Sequence, residues 1–441
     1  MPGLRSPHDR EIARLAVPAL GALVAEPLYV LADTAVVGRL GTEELAGLAV
    51  ASSALLAGYS IFIFLAYGTT AAVSRLLGAG ADREAAHQAV QGLWLAAAIG
   101  AVVTVAVLAL GGPIVGALGA DGAVRDHAEV YLRVSALGIV PQLLTFAGTG
   151  YLRGLQDTRT PLVVAVAAAL ANLVLELVLI PGLGFGIGAS AASTVVAQVG
   201  AAGVFLWLIL RATARLGAGV RPDPPAIRRL GRAGWDLLVR TVALRGALTV
   251  LTAVAARIGT VDVGAHEIAF AVWSLLALGL DALAIAGQAM VGRHLGAGDV
   301  DRARSVGRRM LELGVVGGLL ATVVVLALRP VLPDVFSTDP AVVALAGFLL
   351  VHVAVLQPVN AVAFVLDGLL IGAGDMAFLA RSMVGAALVA VTAAGLVLAL
   401  GLGIGWLWGA IALLMVSRAG ILSVRWRSGR WAVVGAVVTR P

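Results

Sequence analysis

The sequence predicts an all-α integral membrane protein, with twelve transmembrane helices in two parallel-repeat six-helix bundles, an N-lobe and a C-lobe. Three observations lead there. Of the 441 residues, 60% are hydrophobic and 13% charged, with a mean hydropathy of +0.99. A water-soluble chain cannot hide that much apolar surface. Apolar runs of about 20 residues recur along the chain, and each can cross a bilayer core of about 30 Å as a helix. Motifs of the first half also return in the second. Strand-type alternation is absent, which argues against a membrane β-barrel.

Twelve runs fit: near 12–37, 44–74, 88–110, 128–152, 161–180, 187–210, 233–256, 263–291, 310–328, 341–371, 377–400 and 404–424. The first follows basic residues, as a secretory leader would. It is too long for one, contains Glu26 and Asp33, and leads into further spans, so it reads as an uncleaved helix. Pro27 removes a backbone donor there and favours a bend, making it the candidate hinge. The second run carries Tyr59, Phe62, Phe64 and Tyr67, a candidate cleft wall for flat organic cations or ordinary packing. The fourth carries Gln142, the fifth Asn172 and Glu176, and the sixth Thr194 and Gln198.

A linker is expected over 212–231, where Pro222, Pro224 and Pro225 interrupt helical pattern. The lobes are then 1–211 and 232–441. In the C-lobe, Arg240 and Arg245 lie in the seventh run, Asp281 and Gln288 in the eighth, and Asn360 and Asp367 in the tenth. Opposite charges inside one bundle are expected to pair. Gln142, Gln288 and Asn360 either line a cleft, with Arg240 and Asp367 as further candidates, or bridge helices.

Charge placement sets topology. All 31 basic residues are Arg and the net charge is +6. Arg5, Arg10 and Arg14 precede the first run. Arg75 and Arg83 follow the second, Arg153 and Arg159 the fourth, and Arg425, Arg427, Arg430 and Arg440 fill the tail. Arginine on alternate loops is the positive-inside pattern, and it places both termini in the cytoplasm. The basic charge then implies anionic lipid contact and no nucleic acid. Without Lys, a phosphate-gripping GxxxxGK[ST] loop cannot exist. Without Cys, disulfides and thiolate chemistry are excluded. No HExxH or GxSxG motif is present, so an enzyme or a scaffold is disfavoured. The Ala, Gly, Arg and Val richness fits a bacterial inner-membrane protein.

The repeat has a fixed offset. Arg39-Leu40-Gly41-Thr42 returns as Arg257-Ile258-Gly259-Thr260, and Arg75-Leu76-Leu77-Gly78 as Arg293-His294-Leu295-Gly296, both 218 residues on. Six spans per repeat return the chain to the same side, so the repeats are parallel. Two such bundles suit alternating access. Asp33 falls on Leu251 and Glu26 on Leu244, so the acids belong to the N-lobe alone.

A carboxylate near mid-bilayer costs roughly 2.5–3.5 kcal/mol on insertion scales. It is tolerated when it faces protein interior or a water-filled path. Glu26 and Asp33 are two helical turns apart and share a face. Asn172 and Glu176 are four apart and share another. If the first, fifth and sixth spans meet, they enclose carboxyls, an amide and the Thr194 hydroxyl. Buried acids exchange protons, and the same oxygens suit a hard cation such as Na⁺. The competing reading is that each acid hydrogen-bonds a bent helix.

Pro18, Glu26-Pro27 and Leu31-Ala32-Asp33-Thr34-Ala35-Val36-Val37-Gly38-Arg39-Leu40-Gly41 resemble the first helix of the multidrug and toxic compound extrusion (MATE) family, in its DinF-like branch. Arg240-Thr241, Leu366-Asp367-Gly368 and the ending Arg425-Trp426-Arg427-Ser428-Gly429-Arg430-Trp431 resemble the same branch. The resemblance implies a V-shaped antiporter that exports lipophilic organic cations against H⁺ or Na⁺, with no cofactor beyond the coupling ion. Asp33 takes the family's first-helix Asp, and Asn172 and Glu176 its fifth-span motif. Thr194 joins the cation cluster, and Pro27 marks the bend. Glu176 stands where archaeal members carry Asp, which changes Na⁺ geometry and leaves protonation chemistry intact. The expected working unit is one chain in membrane lipid. The alternative function is a flippase of lipid-linked precursors from the same wider superfamily.

Overall fold

The computed structural model describes residues 6–436; Arg5 and Arg440, counted in the charge pattern, lie outside them. Among the described residues there are fourteen α-helices and no strand. In chain order they are α1 (Asp9–Val37), α2 (Thr42–Phe62), α3 (Phe64–Gly78), α4 (Asp82–Ala117), α5 (Gly122–Ala136), α6 (Ile139–Gly154), α7 (Arg159–Leu177) and α8 (Ile187–Leu216). The remainder are α9 (Pro224–Ile258), α10 (Thr260–Gly296), α11 (Val300–Leu328), α12 (Pro340–Gly372), α13 (Met376–Ala399) and α14 (Ile404–Arg427).

These make the twelve expected spans. α2 and α3 form one span, Thr42–Gly78, while α5 and α6 form another that bends by 50°. The expected run over 128–152 is therefore a broken helix starting at Gly122. The break falls at Leu137 and Gly138, where a Cβ on Gly138 would collide with the Gln198 amide. Ends elsewhere follow familiar capping. The Asp299 side chain accepts from Arg302 N, the Asp339 side chain accepts from Ala341 N, and Gly217 closes α8 with a left-handed backbone, φ 62°. Helix α9 begins at Pro224, so the second half of the expected linker is already helical. A proline in a first helical turn sacrifices no hydrogen bond.

The chain forms two compact units, Val17–Gly234 and Met1–Ala16 with Trp235–Pro441. The first two turns of α1 thus belong to the unit that holds the C-terminal helices. The first turns of α9 belong to the other. Both divisions, before Val17 and before Trp235, obey the same offset of 218 as the sequence motifs.

Each unit contains the same close helix crossing. In the N-terminal unit, α6 lies against α3: a Cβ on Gly150 would stand 2.5 Å from the Ala66 carbonyl oxygen, and the Thr70 hydroxyl donates to Gly150 O at 3.1 Å. In the other unit, Gly368 of α12 presses on the Ala284 carbonyl of α10. Gly368 and Ala284 are the offset counterparts of Gly150 and Ala66. Only glycine permits that approach, so the repeat is structural as well as sequential.

Candidate functional site

Helices α1, α5, α7 and α8 bring the N-lobe acids together. Asp33 on α1 and Glu176 on α7 are both buried, at 4% and 0% exposure. They share one hydroxyl: Ser190 Oγ on α8 lies 2.6 Å from Asp33 Oδ1 and 3.1 Å from Glu176 Oε1. A serine hydroxyl has one proton and donates to one carboxylate at a time. The second contact is a hydrogen bond only when that acid carries a proton and donates to Oγ. Tyr131 OH on α5 donates to Asp33 Oδ2 over a long 3.4 Å.

Asn172 is also buried, at 1%, one turn before Glu176. Its amide oxygen and nitrogen and Glu176 Oε2 have no partner with hydrogen-bond geometry. Thr194 sits one turn beyond Ser190. Its hydroxyl donates to Ser190 O at 3.2 Å and lies 2.7 Å from Tyr29 OH, whose proton it accepts. Thr194 therefore contacts no carboxylate directly. Its bond to Tyr29 joins α8 to α1 one turn below Asp33. Among the described residues, no group of three or more acids and histidines is arranged as a metal centre.

A cavity of about 280 Å³ opens beside this cluster, within the N-terminal unit. Asp33, Asn172 and Thr194 line one end. Glu26, Tyr59, Gln142 and Gln198 line its walls. Glu26 is exposed and lies outside the Asp33–Ser190–Glu176 cluster, as two turns of helix require. Phe62 does not line the cavity; its ring stands 6.4 Å from that of Phe64. Pro27 is exposed within an unbroken α1 that also passes through Pro18.

The C-lobe candidates occupy a different setting. Arg240 on α9 and Asp367 on α12 form a bidentate ion pair, with Nε 2.9 Å from Oδ1 and a second, shorter contact between Nη2 and Oδ2. Gln288 and Asn360 are each 1% exposed. None of the four lines the N-lobe cavity. Leu251, the counterpart of Asp33, sits in an apolar core with Trp408 and Ala394.

Sequence reasoning missed Ser190, Tyr29 and Tyr131. The signal for the first was its place on the Thr194 face of α8. It also missed Arg418, an arginine inside an apolar span. Arg418 is 2% exposed, with Nη2 4.0 Å from Asp367 Oδ1 and its guanidinium 5.4 Å over the Phe364 ring. Arg153 departs from its expected place: it is not a loop residue but lies in α6, 7% exposed, on the cavity wall.

Known proteins place the chain in a family. The family profile MatE matches residues 18–178 and 241–396. Protein DETOXIFICATION 44, chloroplastic, of Arabidopsis thaliana is 35% identical, over 98% of this chain and 85% of its own length. DNA damage-inducible protein F of Escherichia coli strain K12 is 27% identical, over 96% and 94%. A crystal structure of MATE in the bent conformation superposes with a TM-score of 0.88 at 21% identity, covering 96% of both chains. An outward-facing multidrug resistance MATE transporter of the MOP superfamily gives 0.87 with the same identity and coverage.

Proposed function

The chain belongs to the MatE family of multidrug and toxic compound extrusion transporters, and we propose that it exports small organic molecules in exchange for inward protons. The observation that carries this reading is the pair of buried acids, Asp33 and Glu176, joined by the single hydroxyl of Ser190 beside a cavity. The pair is least costly to bury with one shared proton. Losing that proton leaves two charges competing for the one Ser190 hydroxyl between them. Helix α1 carries both Asp33 and the cavity-lining Glu26, so a change of protonation acts on the wall that contacts cargo. Pro27, between them, leaves the Leu23 carbonyl without its helical donor and gives α1 a place to flex.

The cargo is unchanged by passage, and the coupling ion is the only other small participant. A second reading uses Na⁺, favoured by the unpartnered oxygens of Asn172 and Glu176. Arginine placement and the Ala, Gly, Arg and Val richness support a bacterial inner membrane, with both termini in the cytoplasm. One chain in membrane lipid suffices for this mechanism.

Proteoliposomes loaded with a fluorescent organic cation test the proposal under imposed pH or Na⁺ gradients. Wild type should move the dye with the pH gradient, and Asp33→Asn should lower that rate at least tenfold while inserting and folding normally. Movement driven only by Na⁺ would replace the coupling ion. Undiminished transport by Asp33→Asn would overturn the site.

A further inference from the structure

The ending Arg425-Trp426-Arg427-Ser428-Gly429-Arg430-Trp431 takes no part in the acid cluster or the cavity, yet it is tied down. Trp431 is fully buried, its ring stacks on that of Trp426 at 4.1 Å, and its Nε1 donates to Trp426 O at 2.9 Å. Trp426 in turn rests on α11, where a Cβ on Gly307 would collide with its ring. Arg425 donates to Asp375 at 2.6 Å and lies 4.8 Å over the Phe378 ring. These contacts explain Arg425 and both tryptophans. They leave Arg427 and Arg430 without a task.

Two arginines of α11 meet them. Arg304 and Arg308 are four residues apart and share a helix face. A Cβ on Gly429 would stand 3.0 Å from Arg304 Nη2, so Arg304 reaches the turn that separates Arg427 from Arg430. Gly429 has a left-handed backbone, φ 68°, and a side chain there would take the guanidinium's place. All four arginines are exposed. Among the described residues, none of their side chains has an ion pair or hydrogen bond, and Asp301, one turn before Arg304, pairs with neither arginine of α11. Four gathered cations repel one another unless an anion joins them. The scaffold does not need the α11 pair: the counterparts of Arg304 and Arg308 at offset 218 are Ala86 and Val90, both buried.

The four lie at the level of lipid headgroups. Arg308 is twenty residues before Leu328, the end of α11, and Arg427 is twenty-three after Ile404, the start of α14. Those lengths rise about 30 and 35 Å, the thickness of a bilayer core. Both arginines also continue lipid-facing stripes. Arg308 precedes Leu319 by eleven residues, three turns of helix, and Leu319 and Val323 are 53% and 65% exposed. Arg427 follows Val416 by the same interval, and Val416 and Val424 are 51% and 70% exposed. The apolar faces of α11 and α14 thus both end in arginines.

We propose that this corner of the C-terminal unit binds an anionic lipid that carries two phosphates in one headgroup, of the cardiolipin type. One phosphate lies on Arg304 and Arg308, and the other on Arg427 and Arg430. The acyl chains run along Leu319 and Val323 on one side and Val416 and Val424 on the other. A guanidinium holds phosphate oxygens through two parallel hydrogen bonds, and basic sites between transmembrane helices suit such headgroups. The stacked tryptophans hold the end of α14 against α11, so the arginines are positioned before the lipid arrives.

Native mass spectrometry of the purified full chain in detergent, titrated with cardiolipin or with phosphatidylglycerol at equal phosphate, reads the site. Wild type should bind one cardiolipin at least about tenfold more tightly than phosphatidylglycerol, because linked phosphates engage both arginine pairs at once. Arg304→Gln with Arg308→Gln should abolish that preference, as should Arg427→Gln with Arg430→Gln. Arg211→Gln with Arg215→Gln, near the end of α8, removes the same charge elsewhere and should leave the preference intact. All six side chains are exposed, so the variants should fold. Equal binding of the two lipids by wild type overturns the proposal. So does a preference that survives either double substitution at the corner, or one lost equally in the α8 control, which would reduce it to net charge. Displacement of cardiolipin by an equal concentration of inorganic pyrophosphate would assign the corner to a soluble phosphate and overturn the lipid site. Binding is read without cargo or gradient, so the outcome is independent of the export reading.

Discussion

Ser190 is the small residue on which the acid pair depends. It is fully buried, and its hydroxyl is within bonding distance of both Asp33 and Glu176. Removing it leaves two buried carboxyls without a mediator, which favours protonating one permanently or repelling the pair apart. Ser190→Ala should therefore insert and fold but transport several-fold more slowly under a pH gradient, with a shifted pH dependence. A rate and pH profile equal to wild type in proteoliposomes would remove Ser190 from the mechanism. The acids were legible in the sequence because a charge in a 20-residue apolar run is expensive and must be explained. Ser190 was not, because a hydroxyl in a helix can bond its own backbone, as Ser193 does to Ala189 O, and costs the membrane little. Arg153 was misread for the opposite reason. Next to a predicted span end, an arginine satisfies the positive-inside pattern so well that nothing prompts a second reading.

Helix α1 runs from one compact unit into the other and carries Asp33 near its end. Its start is tied down. Asp9 accepts from Arg309 Nε at 2.7 Å and from Nη2 at 2.8 Å, and Arg309 also donates to Glu312 at 2.9 Å. Ser6 N donates to the Asp9 carboxylate, closing the first turn. With its first turns anchored on α11 and a proline ahead of the acid, α1 in the proposed mechanism responds to Asp33 by flexing at Pro27 rather than by sliding as a rod. Pro27→Ala restores the missing donor and stiffens that point. It should raise the thermal midpoint slightly and slow gradient-driven transport several-fold; unchanged transport alongside a raised midpoint would show that the hinge is not used. Asp9→Arg should slow transport, and Asp9→Arg with Arg309→Asp should restore much of it. Failure of the exchange to rescue would assign the loss to something other than this ion pair. The continuous helix was predictable from the apolar run, but the anchor was not. Asp9 and Arg309 are 300 residues apart, and nothing in a single sequence pairs them.

At the scale of the whole molecule, one scaffold was used twice and filled differently. The glycine crossings coincide at offset 218, yet the C-terminal unit has Leu251 opposite Asp33. Ala390 and Ala394 stand at the places of Asn172 and Glu176, all of them buried in an apolar core. Two wall positions of the N-lobe cavity, Ala22 and Thr149, have Arg240 and Asp367 as counterparts. Where one unit has a cavity wall, the other places an ion pair. Asp367 has two arginines near it, Arg240 in bonding contact and Arg418 at 4.0 Å. The loss of Asp367 therefore takes the same carboxylate from two buried guanidinium groups, whereas the loss of Arg240 leaves Asp367 still facing Arg418. Removing one partner of a buried pair costs on the order of 3–5 kcal/mol, so Asp367→Asn should lower the thermal midpoint well below that of Arg240→Gln. The fraction of Arg240→Gln that folds should still couple dye export to the gradient through Asp33. Equal destabilisation by both variants would mean that Arg418 contributes nothing to the pair. An Arg240→Gln protein that folds with wild-type stability but transports nothing would move the ion pair from scaffold to mechanism.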